Sequence, residues 1–368
     1  MELPQIDNYQ QLFLNGTPLL DVRAPVEFEQ GAFPSAKNLP LINDEERHAI
    51  GIRYKEMGQE QAIELGHELV NGEIKETRIN AWATFTQQHP EGVLYCFRGG
   101  MRSKISQQWI YDATGVVYPR VKGGYKALRR FLIDELEMSA AVIRPIVLSG
   151  RTGSGKTRLL HHLRHKIDLE RIYHHRGSAF GKQVTPQPSQ IDIENQLSIE
   201  LLKFRKSNIT KLLLEDESVA IGARRLPDSI VNTMRQSPLI ILDASIEERV
   251  AVIYKEYITD ALAEYQTLLG ETPGFDTWAQ GLLNALEKIQ RRLGGLHYQS
   301  IKSMMEHAIT RHRRSAEPGH HRAWIRALLA EYYDPMYDFQ LGKKTGRVIF
   351  RGTQDAVLDY LQQRQGIN

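Results

Sequence analysis

Ile146-Val147-Leu148-Ser149-Gly150-Arg151-Thr152-Gly153-Ser154-Gly155-Lys156-Thr157 decides the reading of this 368-residue chain. An apolar run of strand length enters a glycine-rich turn, and Leu159, Leu160, Leu163 and Ile167 then recur on one helical face. The segment satisfies G-x-x-x-x-G-K-[ST] between a strand and a helix, the context that gives the pattern chemical meaning. Glycines let backbone wrap a phosphate chain, amides point at its oxygens, Lys156 adds a charge, and Thr157 reaches a Mg²⁺ ion. Gly150, Gly153, Ser154, Gly155, Lys156 and Thr157 are therefore the expected diphosphate- or triphosphate-binding residues. The pattern predicts such a ligand without requiring its hydrolysis.

Downstream, strands are expected at Lys211 to Leu214 and Leu239 to Leu242. The run Leu212-Leu213-Leu214-Glu215-Asp216-Glu217 reads as a strand ending in carboxylates, so Glu215 and Asp216 are candidates for holding Mg²⁺ or for acid–base work. From Glu247 to about Leu341 the pattern is helical and strongly charged, broken at Gly294-Gly295 and Pro318-Gly319; Val348 to Phe350 and Asp355 to Leu361 supply a closing strand and helix. Upstream, short apolar runs alternate with helical patterns, as in a parallel sheet covered by helices. Strands are predicted at Leu19 to Val22, Val93 to Tyr95 and Val116 to Tyr118, and a helix over Tyr125 to Leu136. The expected organisation is a first α/β domain over 1–137, a linker at 138–145 closed by Pro145, and a second α/β domain over 146–368 with a helical insertion at about 247–341.

Composition excludes several classes. With 41% hydrophobic and 25% charged residues the chain is not globally disordered. A net charge of +3 makes no whole-molecule case for nucleic acid, so any such case rests on patches. The single cysteine, Cys96, excludes internal disulfides and cysteine-based zinc sites. The N-terminus is polar and no apolar stretch approaches the ~20 residues of a membrane span, so a cytoplasmic protein with no membrane partner is expected.

Cys96 follows a strand and opens Cys96-Phe97-Arg98-Gly99-Gly100-Met101-Arg102-Ser103 before a helical pattern. A sulfur at the carboxyl end of a strand, beside two glycines, two arginines and a helix N-terminus, favours thiolate and a neighbouring oxyanion. This loop, together with Leu19-Leu20-Asp21-Val22-Arg23, Glu27-Phe28, Gly31-Ala32-Phe33-Pro34-Ser35-Ala36 and Gly123-Gly124-Tyr125, resembles a rhodanese domain over about 130 residues. The resemblance implies sulfur or selenium carried on Cys96, with Arg98 and Arg102 beside it and Asp21 and Arg23 in support. Arg102 lies six positions after Cys96, whereas common rhodanese loops place it five after; the longer spacing also fits the Cys-x5-Arg loop of protein phosphatases, a phosphate cradle.

The fold class read here is α/β: an N-terminal rhodanese-like parallel-sheet domain plus a C-terminal P-loop NTPase-like α/β domain with a helical, basic extension. The whole chain is similar to the tRNA 2-selenouridine synthase family. That similarity rests on the Cys96 loop, the phosphate loop, His175-Arg176-Gly177-Ser178-Ala179-Phe180-Gly181, Pro188-Ser189-Gln190, Glu215-Asp216-Glu217-Ser218 with Ile221-Gly222, and Tyr332-Tyr333-Asp334-Pro335-Met336-Tyr337. It implies a transferase that alkylates wobble 2-thiouridine with geranyl diphosphate and then exchanges the S-geranyl group for selenium from selenophosphate. The implied partners are tRNA, met at its anticodon loop, and selenophosphate synthetase.

Between Lys302 and Arg326 the residues Lys302, Arg311, Arg313, Arg314, Arg322 and Arg326 face only Glu306 and Glu317. With Trp324, Tyr332, Tyr333 and Tyr337 nearby, this stretch fits RNA phosphates and an unpaired base. Arg224-Arg225 and Arg291-Arg292 are further candidates. His175 and Arg176 read as supporting phosphate or RNA contacts; adjacent histidines do not converge on one ion, so no zinc is expected. Trp109 and Trp278 read as core. Two other readings stand beside the transferase: a P-loop ATPase or kinase with a regulatory rhodanese (sulfurtransferase- or phosphatase-like) module, and a non-enzymatic RNA-binding or sulfur-carrier scaffold.

Overall fold

The computed structural model describes residues 3–365. The chain forms two compact units: one runs to Ser139 and takes in Ser189–Lys203, and the other holds Ala140–Pro188 and continues from Phe204. The stretch 138–145 begins inside the helix Gly124–Val142.

The first unit is built on a five-stranded, all-parallel sheet in the order Gln5–Ile6, Arg120–Val121, Val93–Tyr95, Leu19–Asp21, Ala36–Asn38. Leu20, Leu94 and Cys96 point into one apolar cluster with Trp82 and Ile110, while Leu19, Val93 and Tyr95 point into another with Phe13, Phe33 and Leu128. Residues alternating between two buried faces explain why Leu19-Leu20 and Val93-Leu94-Tyr95 are apolar without a break. Trp109 lies partly buried against the Trp82 cluster. The strand expected at Val116 to Tyr118 is found at Arg120–Val121 instead. Pro119 lacks an N–H, so the ladder takes only its carbonyl, from the Leu94 N–H at 3.0 Å, and the run before it is tied down by Gln107, whose amide donates to the Tyr118 carbonyl at 2.8 Å. The helix Gln190–Lys206 belongs to this unit through Lys203, placing Ile199 and Leu202 in the Phe33 cluster. Its Asn195 donates to the Ala32 carbonyl and accepts from Arg129 at 2.8 Å.

The second unit has another five-stranded parallel sheet, ordered Val348–Gly352, Leu239–Leu242, Ile146–Ser149, Leu213–Glu215, Lys166–Ile167. Its helical part breaks at Gly294, where φ is 86°, and again before Pro318. Trp278, Leu286, Ile301, Met305, Trp324 and Ile325 fill its core. No helix among the described residues is long and apolar enough to cross a membrane.

Inside that core His321 is fully buried. The Trp324 indole N–H donates to its Nδ1 at 2.9 Å, which leaves the ring proton on Nε2, facing His312 Nδ1 at 3.4 Å. Burial, with His312 and His320 nearby, pushes its pKa down to about 3. An unfolded imidazole takes up a proton near ~6.5, so below that pH the unfolded chain gains a proton the folded one refuses, and stability falls. By pH 5 the expected loss from this group is about 2 kcal/mol. Denaturant melts of wild type and His321→Gln at pH 7 and pH 5 check it: the acid loss should shrink by that amount in the variant.

Candidate active site

Ile146–Ser149 sits in the middle of its sheet, and its carboxyl end releases the phosphate loop into the helix Lys156–His161. Gly153 and Gly155 hold φ of 80° and 85°. At Gly153 a side chain would also meet the Arg249 carbonyl at 2.9 Å, so glycine is required twice over there. Lys156 Nζ donates to the Gly150 carbonyl at 3.1 Å, folding over its own loop.

The Thr157 hydroxyl lies 2.8 Å from Glu215 Oε1 and 3.0 Å from Glu170 Oε2. One hydroxyl proton cannot serve both carboxylates at once. Glu215 is fully buried and its Oε2 has no hydrogen-bond partner. Glu217 completes the group: oxygens from Glu170, Glu215 and Glu217 all lie within 4.8 Å of one another. Burial first, and mutual repulsion second, raise the Glu215 pKa well above the carboxylate range and lift Glu217 to about 7. Burial likewise raises Glu170, against the pull of Lys156. Gly177, at φ 52°, closes over the cluster; a Cβ there would sit 2.7 Å from Glu217 Oε1.

Asp216, the sequence neighbour of Glu215, has another environment. Ser149 Oγ donates to it at 2.6 Å and Lys344 Nζ reaches both its oxygens at 2.8 Å, with the Tyr337 hydroxyl 3.4 Å from Ser149. Asp216 and Glu217, with the loop, line a cavity of about 950 Å³. Glu170 carries no signal in the sequence, because it reads as an ordinary acidic residue in the first turn of the helix Leu169–Tyr173. Glu217 stands in the same acidic run as Glu215, yet only the fold shows that it turns toward Glu170 and Glu215, and Asp216 toward Lys344.

In the first unit Cys96 is 3% exposed. Its thiol donates to Ser103 Oγ at 3.2 Å, and the Ser103 hydroxyl donates to the Gly100 carbonyl at 3.0 Å. Arg102 is paired with Glu27, with Nη2 at 3.0 Å from Oε1. Against the upward push of burial, that pair holds the Glu27 carboxyl below its ordinary range. Arg98 is exposed. Asp21 and Arg23 form a buried ion pair at 2.7 Å, and the guanidinium lies 3.9 Å from the Tyr125 ring centre. Gly124, at φ 58°, lets the next helix press on this loop: a Cβ would fall 2.2 Å from the Cys96 carbonyl oxygen.

The basic run of the helical part is largely engaged. Arg311 pairs with Glu317 at 3.3 Å, Arg313 with Asp276, and Arg326 with Glu247; Arg322 lies over the Tyr254 ring at 4.2 Å, and Arg314 is exposed. Trp324 and Tyr333 are core residues, 2% and 6% exposed. His175 is buried with Nδ1 unpartnered, and Arg176 reaches Glu264 at 3.3 Å.

A family model described as the tRNA 2-selenouridine synthase AAA domain matches residues 143–367. A tRNA 2-selenouridine synthase of Marinobacter nauticus is 52% identical over 361 residues, covering 98% of each chain. The chain belongs to the tRNA 2-selenouridine synthase family. Proteins of the same description from Pseudomonas fluorescens and Hahella chejuensis are each 51% identical, covering 98% and 96% of this chain and 98% and 93% of their own. Membership of the tRNA 2-selenouridine synthase family makes the chain an enzyme, and the family model takes in the phosphate loop and the glutamate cluster.

Proposed function

We propose that the enzyme replaces the sulfur of wobble 2-thiouridine in tRNA by selenium, through an S-geranyl intermediate made from geranyl diphosphate, with selenophosphate as the selenium donor. The observation that carries the reading is the phosphate loop lining a large cavity whose wall also includes Ile253, Tyr257, Ile289, Tyr333 and Met336. An anion site flanked by an apolar wall suits a diphosphate with a ten-carbon tail.

Sulfur in a C=S bond is a poor leaving group. Alkylation changes that, because an S-alkyl group departs as a thiol once selenium has added to the ring carbon. In the first stage the thiocarbonyl sulfur bonds to the carbon bearing the diphosphate as the C–O bond breaks. The loop amides and Lys156 take up the charge on the departing diphosphate. The donor set by the loop fits Mg²⁺: all oxygens, three mutually repelling carboxylates, and one buried oxygen without a partner. Thr157, Glu170, Glu215 and Glu217 would hold the ion, which would add Lewis-acid stabilisation of the diphosphate.

We read the first unit as the rhodanese-like selenium-handling module. Arg98 and the loop amides would bind selenophosphate next to Cys96, and the Glu27–Arg102 pair would hold the loop in shape. Selenophosphate synthetase would supply the donor, and the setting is the cytoplasm. The test is mass spectrometry of nucleosides from 2-thiouridine tRNA incubated with each donor alone and with both. S-geranyl-2-thiouridine with geranyl diphosphate alone, and 2-selenouridine only with both, is the expected result. Nucleotide hydrolysis with unaltered tRNA would install the ATPase or kinase reading instead.

A further inference from the structure

The basic residues that sequence clusters and those that the fold clusters are different sets. Lys288 and Arg292 stand one turn apart on the helix Glu271–Leu293, about 6 Å along its axis. Lys182 joins them from a loop that a backbone bridge between His175 and Lys182 closes on itself. All three line the 950 Å³ cavity above the phosphate loop. Lys182 and Lys288 also line an adjoining groove of about 820 Å³, walled by Phe180, Tyr265 and Trp278. The positive charge of Lys288 reaches inward, adding to burial in pushing the His175 pKa down.

All three side chains are exposed, and none has a carboxylate within ion-pair distance among the described residues. Arg311, Arg313 and Arg326 differ in that each already has one. A cation paired with a surface carboxylate must give up that partner to meet a phosphate, and the exchange returns little. An unpaired cation exchanges only a loosely held counterion, and the release of bound counterions from the nucleic acid drives association.

We propose that Lys182, Lys288 and Arg292 grip the RNA strand, laid along the groove between the helix Glu271–Leu293 and the loop 176–182, so that the target base enters the cavity over the phosphate loop. The paired arginines of the basic run, Arg311, Arg313 and Arg326, are then peripheral to RNA binding. This placement rests on the reading of the substrate as tRNA. Phe180, only partly buried in that wall, offers a stacking surface to a base beside the target.

Binding of a fluorescent anticodon stem–loop RNA to the full chain, followed by anisotropy across a salt series, tests it. In the combined variant Lys182→Ala, Lys288→Ala, Arg292→Ala, the slope of log K against log salt should fall by about 2, and affinity near ~0.1 M salt by on the order of a hundred-fold. The charge-conserving set Lys182→Arg, Lys288→Arg, Arg292→Lys should keep the wild-type slope, which separates charge from fold. Arg311→Ala, Arg313→Ala, Arg326→Ala combined should change affinity only about two- to three-fold. If the first variant keeps the wild-type slope while the last loses it, the placement is wrong although tRNA remains the substrate. If the wild type binds RNA with no salt dependence and leaves tRNA unmodified, placement and proposed function fall together.

Discussion

Lys156→Ala is expected to slow geranyl diphosphate consumption about a hundred- to a thousand-fold, the range seen when one preorganised donor to a developing anion is lost. Lys156 rests on the Gly150 carbonyl in this structure, so it is a charge held on its own loop and free to turn to a ligand. Removing it leaves the loop backbone, whose shape depends on Gly153 and Gly155, in place. The variant should therefore fold and bind RNA as wild type does while losing the first stage. Cys96→Ser should give the complementary result: geranylated tRNA accumulates and selenium incorporation drops below detection. Supplying pre-geranylated tRNA separates the two, since it should restore product in the lysine variant and not in the cysteine variant. If both variants lose both stages together, the proposed division of labour is refuted.

The largest single loss of stability is expected from Arg249→Met. Arg249 is 2% exposed and donates from both terminal nitrogens to the two oxygens of Asp334, each at 2.7 Å. It thereby ties the helix Ile246–Ile253 to the helix Asp334–Gly342. Breaking one side of such a pair strands the other charge away from water and costs about 3–5 kcal/mol. Arg151, 4.0 Å from the same carboxylate, softens the loss, so about 3 kcal/mol is expected, or a melting temperature lower by about 10 °C for a unit of this size. Adding Asp334→Leu should recover much of it, because the stranded charge is then gone. A double variant no more stable than Arg249→Met would show that the cost lies in packing.

Much of this architecture was legible in the chain because its central strands are short, apolar and bounded by turn residues. Leu19–Asp21, Val93–Tyr95, Ile146–Ser149 and Leu239–Leu242 are buried on both sides, so each announces itself without alternation. Two-residue edge strands such as Gln5–Ile6 and Lys166–Ile167 carry too few side chains for a pattern. The phosphate loop was legible because its chemistry is local. The glutamate cluster was not, because Glu170 reaches it from another element. Charge was the least legible property of all: Arg313 finds Asp276 from 37 positions away and Arg326 finds Glu247 from 79. A basic run in sequence is thus no guide to uncompensated charge in space.

The helix Gln190–Lys206 completes the first unit although the sequence on either side of it belongs to the second. During synthesis the N-terminal sheet is made early, yet Ile199 and Leu202, which join Phe33 and Leu128 in one cluster, emerge only after the strand Ile146–Ser149 and the phosphate loop have left the ribosome. The first unit therefore reaches its final form after the second has begun its own, so neither matures as an isolated product of one continuous stretch of message. A fragment ending at the obvious sequence boundary would expose that apolar face and be prone to aggregate.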